Sequence, residues 1–191
     1  MIVGIKEEGK VVLAYSSFDG ISPVNVGDLS NAENLGIWKI KNNPHTVMGC
    51  VFPTAESDAF RYEEDMFRGE VNFNKLMDEI IPAMEKFATD KEYIGDDKGR
   101  YEDFLIAQKD RLFHITSEHV VTDIDSAVAL SNSARCEDIA NSVLHATQGE
   151  PEIDRIRKVF EFTACEAQYC PYPISVIDTQ TGKILTLTRE N

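Results

Sequence analysis

The sequence lacks the marks of several large functional classes. Its four cysteines, Cys50, Cys136, Cys165 and Cys170, include no CxxC pair, and His45, His114, His119 and His145 are scattered. The compact ligand spacing of a zinc site is therefore missing. The expectation is no metal and no cofactor, with reduced thiols packing as small hydrophobes. No apolar run approaches the ~20 residues of a membrane span. Positions 1–25 show neither the basic nor the long apolar region of a secretory signal, so a cytoplasmic protein with no membrane partner is expected. Basic residues are few: 19 Lys and Arg stand against 33 Asp and Glu, for a net charge of -14. A phosphate-binding face needs clustered cations, so nucleic acid is not an expected partner. So much negative charge implies a self-repelling surface.

What is present is a foldable chain. Its 191 residues, 42% hydrophobic and 9% aromatic, suffice for one sizeable core, and a single domain over 1–191 is expected. "IVGIKEEGKVVLAYS" reads as a hairpin about Glu8-Gly9, with Val11, Val12 and Leu13 covered on both faces. "IWKIK" and "TVMGCVF" make a second hairpin about "NNPH". The period then lengthens. "PTAESDAFRYEEDMFRG" and "NFNKLMDEIIPAMEKFATD" carry helical stripes, the second with Pro82 predicting a kink or break. Short strands follow in "YEDFLIAQ", "RLFHIT" and "HVVTD". "CEDIANSVLHATQ" and "PEIDRIRKVFEFTACEAQ" read as helices, and "YPISVIDTQTGKILTL" as a closing hairpin. Strands grouped apart from helices indicate α+β rather than βαβ. Two antiparallel sheets with a helix pair on each outer side, a four-layer αββα sandwich, would cover every apolar stripe.

That order of elements resembles the proteasome β-subunit and HslV-type peptidases of the N-terminal-nucleophile hydrolases. The opening hairpin, the Ser57-Asp58-Ala59-Phe60 helix start, "RLFHITSEHVV", the "AVALSNSA" corner and the last hairpin are each similar to that family's stretches. The resemblance implies a catalyst at the N-terminus, whose hydroxyl or thiol attacks an amide while its own α-amine acts as base. The expected residues do not match. Met1 falls one residue past the family's nucleophile, and Met1, Ile2 and Val3 carry no nucleophilic atom. The family's Asp falls near Ser16, with Asp19 beyond. Its Lys falls near Leu35 or Gly36, with Lys39 and Lys41 nearby. At the Gly-Ser-Gly-Ser corner, Leu130 and Asn132 replace the glycines while Ser131 and Ser133 remain.

The positions nearest the family's site are thus Met1, Ser16, Gly36, Ser131 and Ser133. The expected function is a subunit or binding scaffold without this peptidase activity. One alternative is an amidohydrolase or peptidase using an internal nucleophile such as Ser16 or Ser17; the other is an unrelated α+β binding module. For Ser131-Asn132-Ser133 the plain alternative is a helix-capping turn. The resemblance also implies self-association, and the charge favours a dimer over a ring. A protein or peptide partner fits as well. The acidic "RYEED" face would then need cations on a neighbour, such as Lys109, Arg111, Arg155 or Arg157.

Overall fold

The computed structural model describes residues 1–16, 36–40, 42–51, 64–90, 103–167 and 171–189. Strands β1 (Ile2–Glu7) and β2 (Lys10–Ser16) form the opening hairpin, with Glu7 paired to Lys10 across Glu8-Gly9. Gly9 has φ +79, a conformation only glycine adopts without strain. Strands β3 (Ile37–Ile40) and β4 (Asn43–Cys50) form the second hairpin. Its turn is shorter than the "NNPH" expected, because Asn43 already pairs with Ile40. Then come β5 (Phe104–Gln108), β6 (Arg111–Ile115), β7 (Val121–Asp123), β8 (Ala127–Leu130), β9 (Ile174–Asp178) and β10 (Ile184–Leu187).

The strands make two antiparallel five-stranded sheets, β10-β9-β2-β1-β8 and β3-β4-β5-β6-β7. Ile2, Leu13, Tyr15 and Leu130 of the first sheet pack with Ile37, Val47, Leu105 and Leu112 of the second. Every one of Val11–Tyr15 is buried, which accounts for the unbroken apolar run there. The turn ends of the sheets are tied by Thr179. Its hydroxyl donates to the Lys109 carbonyl at 2.6 Å and accepts from Val11 N–H at 2.9 Å.

Helices α2 (Ala134–Ala146) and α3 (Glu152–Ala167) cover the other face of the first sheet, where Ala140, Leu144, Ile156 and Phe160 meet Met1, Val3, Val12 and Val176. The outer face of the second sheet buries Trp38, Met48, Phe104 and Phe113 against Phe67, Leu76, Ile80 and Met84. Helix α1, which supplies the last three, is composite: it opens at Phe73–Lys75, widens into a π-helix over Leu76–Ile80, and continues as an α-helix over Ile81–Asp90.

At Pro82, where a kink or break was expected, the helix continues through a π turn. Ile81 N–H bonds back to the Leu76 carbonyl, so the chain has an extra residue in the turn where the proline ring enters. Such a bulge accommodates what a regular ladder does not. Of the helix expected over 53–69, residues 53–63 lie outside the described residues, and Glu64–Phe67 is a 3-10 turn. Among the described residues one long helix lies on the second sheet.

Candidate functional site

The pairing registers gather the sequence-derived positions at one end of the molecule. Ile2 pairs with both Tyr15 and Leu130, so the next row outward holds Met1, Ser16 and Ser131. Ser16 N–H donates to the Met1 carbonyl at 3.3 Å. Gly36 immediately precedes β3, and its carbonyl accepts from Cys50 N–H at 2.8 Å. Met1, Ser16, Gly36 and Ser131 therefore rim the mouth between the sheets, and Ser133 follows on the β8–α2 corner.

Alternation along β1 decides what faces that mouth. Met1 and Val3 lie in the core under α2 and α3, whereas Ile2 lies in the core between the sheets. The last inward row of the first sheet is thus Leu130, Ile2 and Tyr15, at 2%, 0% and 7% exposure. Two glycines of the second sheet receive it. A Cβ at Gly36 would stand 2.2 Å from Tyr15 Cε2, and one at Gly49 would stand 2.0 Å from Ile2 Cδ1. Carbon contacts are normally 3.5–4.0 Å, so neither position accepts a side chain while Tyr15 and Ile2 hold their places. Gly36 is one of the two positions assigned to the family's lysine; the other, Leu35, lies outside the described residues. Lys39 does not substitute: it points to the far end of the sandwich, donating to the Gly182 carbonyl at 2.9 Å. Lys41, Ser17 and Asp19 also lie outside the described residues.

Each remaining hydroxyl has a structural partner. Ser16 is 3% exposed and donates to the Pro171 carbonyl at 2.7 Å. Ser133 is the N-cap of α2, accepting from Cys136 N–H at 3.4 Å. Ser131 Oγ accepts from Ser133 N–H at 3.3 Å, and Ser131 N–H donates to Glu137 Oε2 at 3.0 Å. These bonds satisfy backbone donors around a helix start, and Glu137 sits in its positive first turn. Beside Pro171, Tyr172 donates to Glu161 and meets Arg157 at 3.5 Å. Burial, reinforced by the Glu161 carboxylate, raises the Tyr172 phenol above its ordinary pKa.

At the turn end, Lys10 pairs with Glu152 at 2.6 Å. The hydrogen bond between them raises the Lys10 ammonium and lowers the Glu152 carboxyl. Arg155, expected as a surface cation for a neighbour's acidic helix, is 4% exposed and so cannot serve that purpose. Among the described residues no cluster of three or more His, Cys, Asp or Glu could hold a metal, and no helix is long and apolar enough to cross a membrane.

Sequence reasoning missed Tyr15 and Gly49. The available signal was a glycine inside a strand, which marks close approach of another group.

No protein-family model matches the sequence, and no curated protein matches it. Solved structures do. The chain is similar to Thiobacillus denitrificans BPH in complex with epoxomicin, with TM-score 0.64 and 13% identity over 98% of both chains. It is similar to Thiobacillus denitrificans BPH alone with TM-score 0.64 and 12% identity, again over 98% of both. BPH is a bacterial proteasome homolog. The fold is thus shared over nearly the full length, and the chain has the proteasome β-like N-terminal-nucleophile fold.

Proposed function

We propose that this chain is a proteasome-like αββα sandwich that carries no N-terminal-nucleophile peptidase activity and acts as a cytoplasmic subunit or binding scaffold for a protein or peptide. The observation that carries this reading is the row Leu130–Ile2–Tyr15, buried against Gly36 and Gly49. Where amide hydrolysis needs a nucleophile, a proton acceptor and a cation to tune them, the inward row at this end presents, among the described residues, apolar side chains and two glycines. Ser16 supports the reading from the other side, since its buried hydroxyl gives its proton to a carbonyl, and a carbonyl is not a general base.

The test combines fluorogenic peptide and simple amide substrates with intact-mass determination of the mature N-terminus. No turnover is expected, and epoxomicin, the ligand in the BPH complex, should not bind. Hydrolysis abolished by Ser16→Ala or Ser17→Ala would overturn the proposal in favour of an internal nucleophile. Hydrolysis by a chain whose mature N-terminus is Thr, Ser or Cys would overturn it in favour of the family's mechanism.

We place the chain in a homo-oligomer, a dimer in preference to a ring. A charge of -14 per copy repels over a Debye length of ~8 Å at physiological salt, and a two-fold pair crowds the fewest copies. Light scattering that returns a mass near 21.5 kDa at tens of micromolar would refute the assembly.

A further inference from the structure

At the other end of β8 from the mouth, the outer layer holds an open-sided cavity of about 240 Å³. Leu144 forms part of its wall, Ser126, His145 and Gln148 reach it from the exposed rim, and Arg155 of α3 lines it from below. Asn141 completes the wall. Its carboxamide accepts from Ala129 N–H at 2.9 Å and donates to the Ala129 and Glu137 carbonyls at 3.0 Å. That triple engagement fixes α2 on the edge strand β8.

Arg155 is the unusual member. It is 4% exposed. Its Nη2 donates to the Leu144 carbonyl at 3.1 Å, and its Nη1 reaches Glu7 Oε1 at a long 3.4 Å. Its Nε is buried with no acceptor among the described residues. A guanidinium carries five N–H donors in a planar fork, so two contacts leave most of them unused. A buried cation with unused donors is costly to maintain, and a planar oxyanion is the acceptor that matches the fork. The size limits the candidates. A volume of about 240 Å³ leaves room for an anion of a few carbons.

We propose that this cavity is a binding site for a small carboxylate, held by the Arg155 guanidinium, with Gln148 and His145 at the rim. Glu7 already offers Arg155 one carboxylate oxygen, so it competes with the ligand.

The test is a titration of the full chain with succinate, followed by amide resonances in ¹⁵N-correlated NMR spectra, against sodium chloride at matched ionic strength. Saturable shifts confined to Ala127, Gln148 and the Arg155 region are expected. Ser126→Asp, which sets a negative charge at the exposed rim, should weaken binding more than tenfold without altering the remaining spectrum. Glu7→Gln should tighten it severalfold, a change of sign that a purely structural Arg155 would not give. Arg155→Lys should weaken it; if that variant does not fold, the other two decide. Shifts that fail to saturate or that chloride reproduces would overturn the proposal, leaving a water-filled cavity. Affinity unmoved by both Ser126→Asp and Glu7→Gln would also overturn it.

Discussion

Substitution of Gly36 by alanine isolates the packing that closes the mouth. The added Cβ would lie 2.2, 2.6 and 2.7 Å from Cε2, Cδ2 and Cζ of Tyr15. Against a normal carbon contact of about 3.5 Å the ring must withdraw by roughly 1 Å, and at 7% exposure it has little open space to enter. Overpacking of this kind costs about 1–3 kcal/mol. Gly36 is not among the glycines with positive φ, so alanine meets no backbone strain there. It also gains about 0.4–1 kcal/mol by restricting the unfolded chain. The net expectation is a loss of about 1–2 kcal/mol, read as a fall in the urea midpoint at constant m. Tyr15→Val removes all three clashing atoms and keeps a strand-forming residue. In that background Gly36→Ala should be neutral or mildly stabilising, so the double-mutant cycle should show a coupling of at least about 1 kcal/mol. Additivity within about 0.5 kcal/mol would refute the claim that Tyr15 occupies the space over Gly36.

Ser16→Ala should cost about 1–3 kcal/mol in urea unfolding, because it leaves the buried Pro171 carbonyl without its donor. Gly49→Ala should destabilise through Ile2 Cδ1, 2.0 Å from the new methyl, and Ile2→Val should relieve part of the loss. For the Lys10–Glu152 pair the pH dependence has a defined sign. The lowered Glu152 carboxyl stabilises the fold above its ordinary value of 4.5 and loses that contribution as pH falls below it. The raised Lys10 ammonium stabilises the fold below its ordinary 10.5 and loses that contribution as pH rises through its folded value. Glu152→Gln should flatten the acid limb of melting temperature against pH; with both side chains about a quarter exposed, the effect should stay near 1 kcal/mol or less.

The local elements were legible because each rests on short-range chemistry. Glu8-Gly9 and Lys109-Asp110 turn the chain between alternating runs, and Gly9 and Lys109 do take positive φ. Ser133, two acidic residues in the first turn of α3 and the apolar stripes marked the helices. The sheet order was not legible in this way. Pairings such as β2 with β9 and β1 with β8 join residues over a hundred positions apart, and no local pattern encodes them. The passage of α1 through Pro82 was hidden for a related reason. A π turn is worthwhile only when Leu76, Ile80, Ile81 and Met84 all gain burial against the second sheet, which the helix alone does not reveal. The meeting of Met1, Ser16 and Gly36 came from the resemblance to proteasome β-subunits, whereas the burial of Arg155 had no signal in a sequence where it reads as one more surface cation.

On the proposed reading, in which the chain carries no peptidase activity, the apolar packing at the mouth follows from what the fold requires. A proteasome-like sandwich must hold two sheets together at both ends. At the turn end Thr179 does so with hydrogen bonds to Lys109 and Val11. At the other end a catalytic member would need polar, reactive groups partly freed from packing, a state that lowers stability. Here Ile2, Tyr15 and Leu130 occupy that end instead. Burying a large apolar side chain of this kind contributes about 1.5–3 kcal/mol in gross terms. Gly36 and Gly49 make it possible, since a Cβ at either position would displace Tyr15 or Ile2 from its place. A lysine returned to position 36 would therefore have to displace Tyr15 and desolvate its own ammonium among apolar side chains. Such a substitution should therefore be accommodated only with repacking of Tyr15.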